Sequence, residues 1–589
     1  MTMNFTPPNA ADLSLEEKIG QLLVIGFPAG KAGLEHLKRA VDGFAAGNVI
    51  LFSRNIGDPE EVHSLTTEIR RIVSSRKGIP PFISVDQEGG IVARLREGMT
   101  PLPGAMAQAA AVAGGKRGLV DIRALGRICG EELQALGINW NLAPVADVNV
   151  NAANPVIGVR SYGDEAEKVA ELAAAFAAGL AEAGIMATAK HFPGHGDTEV
   201  DSHLGLPLIP HDLGRLEAVE LLPFKRLIAE GVASVMTSHV RFPALEPDGL
   251  PATLSSRILT GLLREALGFK GIITTDCLEM KAIADNFPEA AVQSLKAGAD
   301  IIDISHTYEL QEAAAASIAK AVRKGDVDES RIDQSLSRIF AAKARLSPPP
   351  STWAEATLSI ARPASLALSR GISRDSLTLY SDGPGLPLAP ASLYVDVLPQ
   401  KLGGAEDPLA ADSTRVSGAP PPPPRVSALL TARGIAGSEG GAGESVAGVG
   451  SGFDSLAVSI DPRGEEIAAV LRQAAGRDVA IGICDAGKHP GQVELVRALI
   501  ASAARGGRRV GIVSMRGPYD LDLFPEYREM GKGALLCAFE YSPASAQSVA
   551  DYLAGEIPAR GGSPVKLSSA TQPFGSSMST AGTISAQLS

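Results

Sequence analysis

Residues 185–203, IMATAKHFPGHGDTEVDSH, join a short apolar run to a loop crowded with polar side chains. The run at 185–189 has the length and composition of a buried β-strand, so it brings Lys190 and His191 to a strand's carboxyl end. Three histidines and two aspartates then follow among glycines and a proline. Such a loop buries little apolar area, so the polar groups in it indicate a site of chemistry.

Seven more apolar runs accompany this one, and helix-like stretches such as 59–74 and 165–183 separate most of them. Together the eight candidate strands lie at 22–26, 48–52, 82–86, 138–143, 185–190, 232–239, 271–276 and 300–304. A capping box at Ser14-Leu15-Glu16-Glu17 begins the first helical pattern. Eight strand–helix units in this length predict an α/β fold with an N-terminal (β/α)₈ TIM-like barrel over residues 1–345. A doubly wound open sheet is the structural alternative.

Four polar residues occupy the same position relative to the predicted strands. Asp86, His191, His239 and Asp276 each fall at or just after the end of a predicted strand. In a barrel these ends converge on one face, where the active sites of the fold lie. The common position of these residues at strand ends therefore favours the barrel over the open sheet.

The second half of the chain has a different organisation. A linker is expected at 346–376, followed by a C-terminal α/β domain, an αβα sandwich, at 377–567. Its strand-like runs lie at 393–397, 456–460, 479–484, 510–514 and 534–539. The Gly-, Ala-, Ser- and Pro-rich interval 403–453 is expected to be a surface insertion, and 568–589 a disordered tail.

Bulk composition narrows the class of protein. The 589 residues are 45% hydrophobic and 20% charged, as in ordinary soluble proteins, and exceed what one compact core accommodates. The net charge of −12, without a basic block, argues against nucleic acid or a membrane as a partner. Four scattered cysteines, no leader pattern and no apolar run of spanning length predict a cytoplasmic protein.

The strand-end residues are candidates for chemistry on a small ligand. Asp276 is a candidate nucleophile, general base or metal ligand, although an aspartate here could also cap the next helix. Asp86 has the same two interpretations, and the glycines after it favour a site. Lys190, His191 and Arg160 are candidate donors to a hydroxyl-rich ligand, against the alternatives of a surface lysine, a satisfied histidine and a surface ion pair.

Asp201 and His203 form a carboxylate–imidazole pair two residues apart on the polar loop. The aspartate could fix one ring nitrogen and leave the other for proton transfer, or the pair could merely stabilise a turn. His195 and Asp197 are expected to shape the loop. A metal site at His191, His195, His203 and Asp197 is the competing hypothesis, but the spacing matches no helical metal motif. We therefore expect no metal and no cofactor, and neither a Gly-x-Ser-x-Gly elbow nor a phosphate-binding Gly-x₄-Gly-Lys-Ser/Thr loop occurs.

The segment KHFPGHGDTEVDSH at 190–203 resembles the signature of glycoside hydrolase family 3, specifically the bacterial β-N-acetylglucosaminidases of peptidoglycan recycling. VDQEGG at 85–90, NPVIGVRSYG at 154–163 and TTDCLEM at 274–280 resemble other motifs of that family in the same order. The resemblance implies that Asp276 is the nucleophile, His203 the acid/base and Asp201 the residue that orients it. It also implies that Asp86, Arg160, Lys190 and His191 bind the terminal sugar.

A retaining exo-β-N-acetylglucosaminidase acting on muropeptide- or chitin-derived saccharides is the function that this resemblance implies. Its ligand would be a small saccharide containing N-acetylglucosamine. Three alternatives stay open: a phosphorylase of the same family, a β-glucosidase of the same family, and a barrel that binds carbohydrate without catalysis. The Asp-Ser-His loop argues against the β-glucosidase, and the intact Asp276, Asp201 and His203 argue against the inactive barrel.

Overall fold

The computed structural model describes residues 5–199, 205–284, 287–382, 386–388, 391–398, 425–432, 454–524, 527 and 533–567. Eight parallel strands form the first sheet: β1 (Leu23–Ile25), β2 (Asn48–Leu51), β3 (Phe82–Val85), β4 (Trp140–Asn141), β5 (Met186–Phe192), β6 (Ser234–Thr237), β7 (Ile272–Thr274) and β8 (Ile302–Ile304). Every predicted barrel strand is present.

The first sheet closes on itself. Strand β8 pairs with β1, with Leu23 opposite Ile302, and the remaining neighbours follow in chain order to β7. A parallel bridge between Thr274 and Ile301 joins β7 to β8. The barrel prediction is therefore confirmed, and the open-sheet alternative is wrong because the first and last strands are hydrogen-bonded to each other.

Helices surround the barrel and continue beyond it. Their bounds are Leu15–Gln21, Gly30–Phe44, Pro59–Val73, Ala105–Ala113, Leu119–Ala135, Ala166–Glu182, Leu213–Ala218, Leu222–Ala229, Arg257–Ala266, Lys281–Ala284, Glu289–Ala297, Tyr308–Lys324, Glu329–Lys343, Trp353–Thr357 and Pro363–Asp375. The first of them begins with the predicted capping box, in which Ser14 and Glu17 each accept the other's backbone N–H. Within the described part of the chain, no helix has the length and apolarity needed to cross a membrane.

Asp300 ties the end of the barrel sequence to the helices outside it. Its Oδ2 accepts the backbone N–H of Ile273 at 3.1 Å, and Arg264 binds the same oxygen. Arg338 donates to Oδ1 at 2.9 Å, and Arg331 lies 3.5 Å from that oxygen. A fully buried carboxylate is tolerated here because charged and backbone donors surround it.

The second sheet has six strands: β9 (Thr378–Asp382), β10 (Leu393–Val397), β11 (Asp454–Val458), β12 (Val479–Ile483), β13 (Val510–Ser514) and β14 (Gly533–Cys537). Their order is β9-β14-β13-β12-β10-β11, and only β9 is antiparallel to its neighbour. The flanking helices are Val426–Ala432, Glu465–Ala474, Pro490–Gly506 and Pro543–Leu553. The predicted C-terminal α/β domain is confirmed in class, and β9 is the strand that the sequence analysis did not identify.

The two sheets are joined by buried contacts. Met106, Ala107 and Ala110 of the barrel helix Ala105–Ala113 belong to the same apolar cluster as the strands of the second sheet. Glu540, which follows β14, accepts the N–H of Gly104 at 2.7 Å. Both apolar packing and buried hydrogen bonds therefore stabilise the contact between the barrel and the second sheet.

Candidate active site

A cavity of about 310 Å³ opens at the carboxyl ends of the barrel strands. Among the described residues, Asp86, Lys190, Asp276 and Asp303 line it, together with Ile50, Phe52, Leu142, Met236, Cys277, Glu279, Met280, Lys281, Ala284, Ser305 and His306. Apolar walls with a few charged groups are typical of a small-molecule site. Three of the predicted site residues, Asp86, Lys190 and Asp276, thus line the same cavity although they are distant in sequence.

Lys190 is the centre of a buried charge network. Its Nζ donates to Asp86 Oδ1 at 2.8 Å and lies 2.6 Å from Glu88 Oε1. Arg160 donates to both oxygens of Glu88, through Nη2 at 2.8 Å and Nε at 3.0 Å. Arg94 lies 3.6 Å from the second oxygen of Asp86. The two positive charges of Lys190 and Arg160 balance the two negative charges of Asp86 and Glu88. This pairing makes the burial of all four groups tolerable.

Glu88 is a residue that the sequence analysis missed. It lies two residues after Asp86, in the hairpin strand Gln87–Gly89. Side chains two residues apart in an extended segment face the same side, so the spacing of the two acidic residues could have indicated that Glu88 belongs to the site. Glu88 binds both Lys190 and Arg160. It therefore fixes the positions of two predicted sugar-binding donors.

His191, the neighbour of Lys190 in sequence, binds Asp147. Its Nδ1 is 2.7 Å from Asp147 Oδ2, and its backbone N–H lies 3.2 Å from both carboxylate oxygens. The backbone N–H of His195 donates to Asp147 Oδ1 at 2.7 Å. Asp147 thus orients the His191 ring and leaves Nε2 as its nitrogen for a ligand. Neither His191 nor Arg160 is among the described residues that line the cavity.

The polar loop is anchored where it leaves β5. Burial lowers the pKa of His195 to about 4, so its imidazole is neutral at physiological pH. His195 Nδ1 is 2.9 Å from Thr198 Oγ1, and Asn154 donates to the carbonyl of His195 at 2.9 Å. Asp197 lies 2.5 Å from Nε2 of His211. Asp201 and His203, the predicted dyad, lie outside the described residues.

The chain returns from this loop at a second fixed point. Leu208 forms a parallel bridge with Arg241, whose N–H donates to the carbonyl of Pro207 at 3.0 Å. Arg241 follows β6 by four residues. Both ends of the loop therefore lie at the carboxyl face of the barrel, the face that carries the cavity.

Asp276 follows β7 by two residues, and its Oδ1 accepts the N–H of Cys277 at 2.7 Å. His239, the other strand-end residue, is buried between Thr253, at 2.8 Å from Nδ1, and the carbonyl of Cys277, at 2.9 Å from Nε2. We infer that His239 supports the backbone beside Asp276. It is not among the described residues that line the cavity.

Asp303 is a second carboxyl group that the sequence analysis missed. It lies in β8, accepts a hydrogen bond from Ser305 Oγ at 2.6 Å and lines the cavity with Asp276 and Asp86. Burial, and secondarily the charges of those two aspartates, raise the pKa of Asp303 well above the usual range of a carboxyl. Asp303 and Ser305 are two residues apart at a strand end, so their side chains face the same side of the strand. This spacing could have indicated a polar pair at the site.

A barrel whose strand ends present carboxylates and buried cations to a cavity of this size has the arrangement of an enzyme site for a small polar ligand. The profile described as "Glycosyl hydrolase family 3 N terminal domain" matches residues 14–342. The chain belongs to glycoside hydrolase family 3.

Individual relatives cover both halves of the chain. It is 33% identical over 412 residues to "Beta-hexosaminidase A" of Pseudoalteromonas piscicida, covering 64% of this chain and 69% of that one. It is 39% identical over 280 residues to a "Beta-hexosaminidase" of Methylococcus capsulatus, covering 47% and 80% respectively. A family 3 beta-N-acetylglucosaminidase from Paenibacillus sp. str. FPU-7 superposes with a TM-score of 0.80 at 36% identity, over 94% of this chain and 99% of that one. The family assignment and the expectation of a glycoside hydrolase enzyme are confirmed.

Proposed function

We propose that this chain is a retaining exo-β-N-acetylglucosaminidase that removes terminal β-linked N-acetylglucosamine from muropeptide- or chitin-derived saccharides. The observation that carries the proposal is Asp276 on the wall of a cavity of about 310 Å³, with the Asp86–Lys190 pair on the same lining. A cavity of this volume matches a single sugar ring better than a polymer chain. The similar proteins named above, two beta-hexosaminidases and a beta-N-acetylglucosaminidase, support the same substrate class.

In this proposal Asp276 attacks the anomeric carbon and the leaving oxygen takes a proton from His203, which Asp201 orients. Water then attacks the glycosyl-enzyme while His203 accepts its proton, and the second inversion restores the β configuration. The described residues on either side of 200–204, Thr198 and Pro207, lie at the carboxyl face of the barrel, which supports a role for Asp201 and His203 at the cavity. Asp86, Lys190, Arg160 and His191 bind the sugar hydroxyls, and their hydrogen bonds strengthen as the ring flattens.

Water is the proposed acceptor rather than phosphate. Three carboxylates, Asp86, Asp276 and Glu279, line the cavity, against Lys190 and Lys281, and the raised pKa of Asp303 leaves that fourth carboxyl group out of the charge count. This excess of acidic groups disfavours a phosphate dianion. Turnover in phosphate buffer should therefore release free N-acetylglucosamine, and accumulation of the sugar 1-phosphate would instead identify a phosphorylase.

Mechanism-based labelling tests the nucleophile. A 5-fluoro or 2-deoxy-2-fluoro glycosyl donor should inactivate the enzyme with one label per chain, on the peptide that contains Asp276. Asp276→Ala should remain unlabelled and lose at least about 10⁴-fold in kcat while still binding N-acetylglucosamine. A label on Asp86 or Asp303, or near-normal turnover of Asp276→Ala, would contradict the assignment.

A further inference from the structure

Three potential metal ligands lie together on the wall of the candidate active site. Cys277, Glu279 and His306 each offer one ligand atom, and these atoms lie within 4.8 Å of one another. All three residues line the cavity, and Cys277 is adjacent in sequence to Asp276. The proposed hydrolysis uses none of the three, so their grouping needs its own explanation.

Glu279 is held in a fixed orientation. Its Oε2 accepts the N–H of His306 at 2.6 Å, and its Oε1 accepts the N–H of Thr307 at 3.0 Å. The Cys277 Sγ lies 3.9 Å from Oε2 of the same carboxylate. Oε1 keeps a second lone pair, and Oε2 regains one when the Cys277 thiol loses its proton, so the group can hold a cation without losing these backbone hydrogen bonds.

His306 has a nitrogen available for coordination. Its Nδ1 is buried and has no hydrogen-bond partner among the residues that the structure describes. The ring also packs against Phe52, with centroids 5.1 Å apart, which fixes its plane. A buried nitrogen without a partner is costly, and a cation coordinated through Nδ1 would satisfy it.

We propose that Cys277, Glu279 and His306 form an inhibitory binding site for a borderline divalent cation of the Zn²⁺ class. One thiolate, one imidazole and one carboxylate are ligands that Zn²⁺ takes, whereas Mg²⁺ and Ca²⁺ require oxygen ligands. The carboxylate of Asp276 lines the same cavity and favours a cation there, whereas the Arg54 guanidinium stacked on Phe52 opposes it. On binding, the Cys277 thiol loses its proton to solvent and its sulfur bonds the metal.

An ion at this position would occupy the cavity beside Asp276 and compete with a saccharide. This inhibition rests on the proposed function, whereas metal binding does not. The two parts are therefore measured separately, with binding first.

Binding is tested on the full chain after chelator treatment, with Zn²⁺ by calorimetry and with Co²⁺ by absorption spectroscopy. The wild type should bind one Zn²⁺ through this site, and Co²⁺ should give a thiolate charge-transfer band in the near ultraviolet. Cys277→Ser should abolish that band and weaken Zn²⁺ binding about 10-fold or more. His306→Ala should weaken Zn²⁺ binding as strongly, and it provides a second test if the serine variant folds poorly.

Two control variants separate this site from other metal binding. Cys484→Ser removes a buried thiol in the second sheet's domain, and His211→Ala disrupts the other cluster among the described residues, Asp197, His211 and Glu220. Both controls should leave the cobalt band unchanged. A cobalt complex without a thiolate band, or equal Zn²⁺ affinity in wild type and Cys277→Ser, would overturn the inference.

Inhibition is measured with an aryl N-acetylglucosaminide, each variant being compared with its own metal-free activity. Zn²⁺ should raise the apparent KM of the wild type, chelator should reverse this, and Cys277→Ser should lose the effect. If the metal-free chain binds Zn²⁺ as expected but hydrolyses no N-acetylglucosaminide, the proposed function fails and the metal site stands. If hydrolysis proceeds normally and Zn²⁺ does not bind, the metal site fails and the function stands.

Discussion

At the scale of single residues, the site depends on carboxylates that hold the predicted ligand-binding side chains in position. Asp147 contacts the His191 ring and two backbone N–H groups, and Glu88 bridges Lys190 and Arg160. None of these contacts joins neighbours in sequence, with separations such as 44 residues for Asp147 and His191. The sequence analysis therefore identified the groups that would face a ligand and missed the groups that hold them.

Asp147→Asn tests that positioning role. The amide replaces one acceptor oxygen by a donor, so at least one of the three N–H groups loses its buried partner. We expect a loss of about 2–4 kcal/mol in the free energy of unfolding and a raised KM. The exposed Asp42→Asn is the matched control and should change stability by less than about 0.5 kcal/mol. Denaturant titration and steady-state kinetics measure both, and an unchanged KM in Asp147→Asn would contradict the positioning role.

His203→Ala tests the proposed acid. Substrates with poor leaving groups need protonation of the departing oxygen, whereas activated aryl glycosides do not. The variant should therefore slow unactivated saccharides by about 10²–10⁴-fold and activated aryl substrates far less. Equal slowing of the two classes would count against the assignment, and steady-state rates on a matched pair of substrates provide the measurement.

At the scale of elements, the apolar runs predicted the strands well because each barrel strand is buried along its whole length. The strand β9 was not predicted. It lies at the edge of the second sheet, and its pairing with β14, which is distant in sequence, defines it as a strand. Asp303 escaped prediction for a related reason. It lies inside β8, and only the direction of that strand in the closed barrel turns its side chain toward Asp276 and Asp86.

Asp300 provides the element-scale prediction. Asp300→Asn removes the charge that Arg264, Arg331 and Arg338 share, and leaves these guanidinium groups clustered without it. We expect a loss of about 3–5 kcal/mol in the free energy of unfolding. Thermal and denaturant unfolding measure it, with the exposed Asp326→Asn as a control that should be near neutral. A loss below about 1 kcal/mol would show that the helices hold their positions without this anion.

At the scale of the whole molecule, the barrel and the second sheet share buried groups near the site. Asn149 Nδ2 donates to the Tyr519 hydroxyl oxygen at 2.8 Å, and Asn149 Oδ1 accepts the N–H of Gly158 at 3.1 Å. Gly158–Arg160 is the turn that carries Arg160. The second domain therefore contacts the segment that presents Arg160, which composition and strand pattern could not reveal.

The second domain should also respond to pH through Asp520. Burial, with a smaller contribution from Asp485, raises the pKa of Asp520 to about 7 in the folded state. Because the folded state binds this proton more tightly than the unfolded state, the raised pKa contributes its full stabilisation at pH below about 4. That contribution is lost as the pH rises to about 7. Across that window the wild type should lose on the order of 4 kcal/mol relative to Asp520→Asn, whose side chain does not titrate. Thermal unfolding between pH 4 and pH 8 measures the difference, and parallel curves for the two proteins would refute it.

The sequence by itself determined the local and periodic features: eight buried strand runs, their alternation with helices, and the phase that puts Asp86, His191 and Asp276 at strand ends. These follow from burial and backbone propensity, which act over a few residues. Only the tertiary structure decided that the sheet closes, that Glu88 and Asp147 hold the cationic and imidazole groups, and that Cys277, Glu279 and His306 meet. Each of these is a contact between separate strand ends, and such contacts depend on the order and direction of strands around the closed barrel.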